Sequence, residues 1–479
     1  MPEIGVITAI TNQVAEVTFA KNPPKMNDIL AAVDHPEVKL VVHSSAEKNS
    51  FFCLILSEND HLARGSHVQN TNEGLTVPVG QKVLGRAFDI FGKPLDGAEL
   101  VTQEKRLVFH TNFPSLEDVV APNEILETGV KAIDFFSPLL IGGKMGLFGG
   151  AGVGKTILLT ELINNIVIQT QSTDKRVSIF SAVGERSREA HELIQILREA
   201  KVIDKTSLVV GQMGENPAIR FQTAFAAARL AEYFRDEQET NVLFFMDNIY
   251  RFAQAGYELS TVMRTIPSED AYQPTLPSEI GSLHERLTST KKASITSVEA
   301  VYVPSDDMND YAVRSLFPFL DSNIIFSRQV YQEGRYPAID LLSSGSSAMR
   351  PDIVGEKHYD LYMNCKNILE KSITIDKIVS LVGLSELSHQ DQTVYIRAQL
   401  IKNYMTQSFF VAHKQTDRIG QFVSLAQTIK DVEMILRGAF DKSDPEELLF
   451  VSQLPTPKTP TPVQQKTVVP PPPTPPSKT

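Results

Sequence analysis

The chain has 479 residues, 42% of them hydrophobic and 22% charged, and carries a formal net charge of -11. That size and balance suit a soluble globular protein of two to four domains, and the acidic excess argues against nucleic acid as a main partner. No run of eighteen apolar residues occurs, no basic or Arg-rich leader precedes Ile10, and Cys53 and Cys365 lack any metal or redox spacing, so a cytoplasmic chain with two small buried thiols is expected, reaching a membrane only through partners.

From Gly5 to about Glu58 short alternating segments recur: Val6 to Ile10, Val14 to Phe19, Ile29 to Val33, Val38 to His43 and Phe51 to Ser57. Turn residues such as Asn22-Pro23-Pro24 and Asn27-Asp28 separate them, which predicts a small antiparallel β-barrel over 1–76. Gly80, Gly85, Gly92, Pro94 and Gly97 then punctuate a connector. Over 77–352 strand and helix patterns alternate: a helix from Thr156, strand Val177 to Val183, helix Glu189 to Ala200, strand Leu208 to Gly211, helix Phe221 to Phe234 and strand Val242 to Met246. That order predicts an α/β domain with a doubly wound, mostly parallel sheet, whose ligands bind at the carboxyl ends of the strands. Helical patterns, among them Val394 to Tyr404 and Ile429 to Leu436, predict a helical domain over 353–453. From Leu454 to Thr479 there are ten prolines, three lysines and no acid, which predicts a disordered, extended tail over 454–479.

The chemistry centres on Gly149-Gly150-Ala151-Gly152-Val153-Gly154-Lys155-Thr156, which has the spacing G-x-x-x-x-G-K-[ST] between a strand and a helix. Backbone N–H groups must face phosphate oxygens there, Lys155 neutralises the β- and γ-phosphates, Thr156 offers a hydroxyl to Mg²⁺, and the helix dipole favours the anion. The bland alternative is a glycine turn. Val242-Leu-Phe-Phe-Met-Asp247 is an apolar run closed by an acid, suited to reach the shell of Mg²⁺ beside the phosphates; its alternative is a helix cap. At the next strand end Glu185 could orient or deprotonate water and Arg186 could meet developing phosphoryl charge, or the two could form a solvated ion pair.

Ala182-Val-Gly-Glu-Arg-Ser-Arg-Glu189, Asp247-Asn-Ile-Tyr-Arg-Phe-Ala-Gln-Ala-Gly256, Ile266-Pro267 with Tyr272-Gln-Pro-Thr-Leu276, Thr290-Lys-Lys292 with Ile295-Thr-Ser-Val298, and Tyr336-Pro-Ala338, taken with the phosphate loop, resemble the catalytic beta subunit of F-type ATP synthases. The Glu in Gly-Glu-Arg separates that subunit from its alpha partner, which has Gln there. The resemblance implies a barrel crown, a nucleotide domain and a helical domain in an alternating ring of six around a gamma-like central stalk. It implies ATP or ADP and Mg²⁺ as ligands, Lys155 and Arg186 on the γ-phosphate, Thr156 and Asp247 on Mg²⁺ or its waters, Glu185 on the attacking water and Arg251 in the phosphate site. Tyr336 resembles the adenine-stacking tyrosine, and Tyr404 and Phe409 match the aromatic wall, with Tyr404 in place of a Phe. An arginine finger is implied from the alpha-like neighbour.

Three departures stand out. Ser385-Glu-Leu-Ser-His-Gln-Asp391 replaces Asp-Glu-Leu-Ser-Glu-Glu-Asp at the rotor-facing surface, Asn309-Asp-Tyr-Ala-Val313 replaces a Pro-rich stretch, and the tail, whose partner is unknown, has no counterpart. Retained chemistry with changed contact surfaces resembles the paralogues that mycoplasmas carry beside their ordinary synthase, gliding-associated ATPases included. The expected function is an F-type-like ATPase driving a mechanical process, peripheral on the inner face of a bacterial membrane. An ordinary proton-coupled synthase subunit and a non-catalytic nucleotide-binding subunit are the alternatives.

Overall fold

A computed structural model describes residues 4–57, 61–99, 105–110, 113–169, 176–263, 265–268 and 271–455. The proline-rich segment expected to be disordered lies outside the described residues from 456 onward.

Strands Ile4–Thr11, Val14–Phe19, Asp28–Ala32, Lys39–Glu47, Ser50–Ile55 and His67–Gly74 close into a barrel. Alternation turns Ile7, Val17, Leu30, Leu40, Val42, Cys53 and Val68 into one fully buried core. Asn12, Asn22, Asn27, Asn49 and Asn72 take positive φ, a conformation that asparagine tolerates better than most side chains. Sequence patterning marks the first five strands and misses His67–Gly74. That strand buries little beyond Val68 and Asn70, so its alternation is weak, yet it pairs with both the first and third strands and closes the barrel.

The expected doubly wound sheet is present. Its order is Gly345–Ser346, Ser322–Ile325, Lys144–Gly149, Ile295–Tyr302, Asn241–Asp247, Arg176–Glu185, Thr206–Gln212 and Ala87–Phe88, parallel except at the Gly345–Ser346 edge. Consecutive residues explain why the central strands read as unbroken apolar runs. Ile179 and Phe244 enter the core on one face, with helix Pro217–Asp236, while Phe180 and Phe245 enter the core on the other, with helix Lys155–Asn164. The long helix starts where Asn216 accepts from Ile219 N at 3.0 Å and Pro217 occupies a first-turn position that needs no N–H. Three strands, Lys144–Gly149, Arg176–Glu185 and Asn241–Asp247, therefore end side by side or one strand apart on the same edge.

Beyond that sheet, helices Glu356–Val382, His389–Tyr404 and Leu425–Leu436 form the helical region. The first runs 27 residues between Gly355 and Gly383, both at positive φ. It is tied to the nucleotide-side structure where the His358 ring lies 2.8 Å from the Phe135 carbonyl. Both cysteines are free and buried, and burial pushes the Cys53 thiol up to about 12. Among the described residues, no helix is long and apolar enough to cross a membrane.

Candidate functional site

The loop leaves strand Lys144–Gly149 and enters helix Lys155–Asn164 through Gly152 and Gly154, at φ +78 and +98. Nothing lies within 4 Å of a Cβ built on either, so backbone conformation rather than crowding requires glycine there. Gly150 is the opposite case: a Cβ would sit 2.1 Å from Asp306 Oδ1. Asp306 holds the Arg328 guanidinium at 2.9 Å, and Arg328 also reaches the Ala151 carbonyl at 3.4 Å, bracing the loop from outside. Lys155 Nζ donates to the Gly149 and Gly150 carbonyls at 2.6 and 2.5 Å. Burial pulls its ammonium down to about 8, opposed first by Asp247 and then by Asp306.

Thr156, one residue into the helix, donates from Oγ1 to Asp247 Oδ2 at 3.1 Å. Asp247 does not cap the following helix; Asn248 does, accepting from Tyr250 N at 3.0 Å and also from Tyr302 N at 3.2 Å. Glu185 closes the adjacent strand, in which Ala182 pairs with Asp247. Burial, then the Asp247 carboxylate, holds Glu185 well above the usual glutamate range. Burial likewise raises Asp247, against the Thr156 hydroxyl and the Lys155 ammonium. The Asp247 carboxylate and the Thr156 hydroxyl thus meet as oxygen donors beside a phosphate loop, with the Glu185 carboxylate lining the same cleft. Such a set fits a hard cation that takes its remaining ligands from phosphate and water; among the described residues no three His, Cys, Asp or Glu side chains converge as a complete cage.

Lys155, Thr156, Glu185 and Asp247 line one end of a cleft of about 830 Å³, together with Ala151, Gly152, Val153 and Gly154. The lining is also aromatic: Tyr336, Phe409, Phe450 and Tyr331, with Arg418 among them, while Phe326 sits against Gly149 beside the loop. Tyr331 meets Tyr336 edge-on at 5.3 Å, and the Arg418 guanidinium lies 3.7 Å above the Phe450 ring. The lining combines charged and polar groups with flat π-faces, the two chemistries of a nucleoside polyphosphate.

Residues 129–346 match the family model described as ATP synthase alpha/beta family, nucleotide-binding domain. Residues 347–442 match the one described as C-terminal domain of V and A type ATP synthase. The chain belongs to the ATP synthase alpha/beta family. It is thus a nucleotide-binding subunit of that family, which assembles from related subunits.

Within this ATP synthase alpha/beta chain, one expected site residue is corrected outright. Tyr404 is no part of the aromatic wall: it is fully buried, its hydroxyl donates to Asp431 Oδ2 at 2.9 Å, and its ring packs beneath Lys131 Nζ at 4.2 Å. It ends helix His389–Tyr404, and the helix end turns it into the core while Phe409, five residues on, reaches the cleft. Arg186 is not brought into the cleft either. As the first residue before helix Ser187–Glu199 it is 68% exposed and pairs at 3.5 Å with Glu189, which does line the cleft. Arg251 lies behind the lining, where a Cβ on Gly184 would be 3.2 Å from its Cβ, and its charge lowers the pKa of both Glu185 and Asp247. Phe450, Tyr331, Arg418 and the Asp306–Arg328 pair escaped sequence reasoning. Arg328 and Tyr331 lie near Tyr336 in the chain, but nothing in the local pattern around Phe450 distinguishes it from a core residue.

Proposed function

We propose that this chain is the catalytic, beta-type subunit of a hexameric ATPase that cleaves ATP to ADP and phosphate. The observation that carries the reading is Glu185, a carboxylate at a strand end in the phosphate half of the cleft, with its pKa raised by burial and by Asp247. A carboxylate whose pKa is raised is, once ionised, a stronger proton acceptor than an ordinary glutamate, which suits a general base. In this reading Lys155 turns from the Gly149 and Gly150 carbonyls to the β- and γ-phosphates. Gly150 to Gly154 direct backbone N–H groups at them, and Tyr336, Phe409 and Phe450 hold the base. Thr156 and Asp247 would hold Mg²⁺, which when bound supplies charge neutralisation of the phosphate oxygens. Glu185 orients a water toward the terminal phosphorus and takes its proton, while Arg251 steadies the Glu185 and Asp247 charges from behind.

The cleft needs a further cation for charge developing on the transferred group, and Arg186 is not among the residues that line it. An alpha-like neighbour in an alternating ring supplies that arginine, and a gamma-like stalk takes up the work. The process served is mechanical or rotary, gliding of the mycoplasma kind being the candidate, at the inner face of the cell membrane through partner subunits. A second reading, the beta subunit of a proton-translocating ATP synthase, is favoured by the description of both family models and uses the same site. Purifying the assembled complex, assaying Mg-ATP hydrolysis and identifying its chains tests both. Proton-channel subunits would favour the second reading, and an assembled complex that binds but never cleaves ATP would overturn both.

A further inference from the structure

Lys131 is a lysine with no exposed surface, outside the phosphate site and unused by the proposed chemistry. It opens the short helix Lys131–Phe136, every residue of which is buried. Its ammonium donates to two carbonyls from distant parts of the chain, Tyr404 O at 2.5 Å and Val451 O at 2.6 Å. Its backbone N–H donates to Gln407 Oε1 at 3.0 Å. Two of these partners lead to the aromatic part of the cleft. Gln407 lines the cleft itself, and its own N–H donates to the carbonyl of Tyr336 at 2.8 Å. Val451 follows Phe450, whose backbone takes the left-handed conformation at φ +59, uncommon for a bulky residue.

That conformation is held from both sides. Phe450 N donates to Thr406 Oγ1 at 2.7 Å on one side, and the Val451 carbonyl is fixed by Lys131 on the other. Leu454 N, just beyond, donates to the buried Asp431 at 3.1 Å, and Asp431 also receives the Tyr404 hydroxyl. Burial pulls the Lys131 ammonium down to about 7, with Asp431 opposing, yet its donors are needed whether or not the group is charged, because the Tyr404 carbonyl is buried and the Val451 carbonyl partly so.

We propose that Lys131 is a positioning residue for the base-binding wall: by tying the Tyr404 and Val451 carbonyls together it sets Phe450, and through Gln407 the Tyr336 loop, at the spacing that grips a purine. The proposal rests on the nucleotide reading of the cleft. It assigns Lys131 to affinity for the base and not to phosphate binding or to the chemical step, because none of its partners belongs to the phosphate loop.

The test compares Mg-ATP with Mg-tripolyphosphate, which carries the phosphates without a base, by equilibrium binding to the full chain. In Lys131→Met, ATP affinity should fall about tenfold, the scale of one lost stacking contact, with tripolyphosphate affinity within about twofold of the unsubstituted chain. Adding Phe450→Ala to Lys131→Met should cost little more, since the first change has already released that ring. Thr406→Val, which removes the other restraint on Phe450 at nearly constant volume, should show the same selective loss and serves if Lys131→Met does not fold. Equal losses for both ligands, or no loss for ATP in a folded variant, would overturn the proposal. Failure of the unsubstituted chain to bind either ligand would instead overturn the nucleotide reading, and the role of Lys131 with it.

Discussion

Thr156 Oγ1 and Asp247 Oδ2 lie 3.1 Å apart although 91 residues separate them in the chain. The first belongs to the helix after the phosphate loop and the second ends a strand two places along the sheet, so the contact exists only because the parallel strands end on one edge. It joins the two side chains suited to hold Mg²⁺, and Glu185, at the end of the next strand, lies within electrostatic reach of Asp247.

Replacing Lys155 by alanine removes the one ammonium among the described residues that line the cleft. ATP turnover by the assembled complex is expected to vanish. Steady-state hydrolysis by the Lys155→Ala complex checks this, and unchanged activity would sink the phosphate-loop assignment.

Glu185→Gln keeps shape and Mg-ATP binding but removes the proton acceptor, so turnover should fall by roughly 10² to 10⁴. A second signature follows from the raised pKa. A carboxyl held above its ordinary range gains its basic form as pH rises, so kcat/KM should climb with pH in the unsubstituted complex and lose that climb in the variant. A pH profile of both proteins, with nucleotide binding measured in parallel, separates this role from a surface ion pair.

The isolated chain should be a poor ATPase that gains activity on adding an alpha-like partner. Arg186 pairs with Glu189 but does not itself line the cleft, and Arg251 lies behind it, so neither is placed to act as the finger. An arginine supplied from outside is worth on the order of 10³ to 10⁵ in rate. Turnover by a verified monomer at the rate of the complex would point to a finger in cis.

Truncation after Leu454 should leave ATP hydrolysis by the assembled complex intact and alter only attachment to other components, because the proline-dense segment cannot add to a core. Removing Leu454 as well should act differently: its side chain is 3% exposed and its N–H serves buried Asp431, so about 1–3 kcal/mol of stability is expected to go with it. Denaturant melts of the two truncations, alongside hydrolysis and co-purification, distinguish the two boundaries.

Local signals were enough wherever one short segment carries a complete chemical instruction. The loop from Gly149 to Thr156 announces itself because glycine conformation, lysine charge and helix start are all encoded within eight residues, and Asp247 because a buried parallel strand reads as an apolar run with an acid at its end. The barrel's first five strands were legible from alternation; its sixth was not, since a mostly polar strand gains its place from pairing with two neighbours. Tyr404 and Phe450 mark where sequence stops. Both are aromatic residues near helical segments, and whether a ring faces a ligand or a core depends on how a helix end and a distant chain segment dock together. Docking buries Tyr404 against Lys131 and Asp431 and turns Phe450 into the cleft, because carbonyls from two separate segments of the helical region share one buried ammonium.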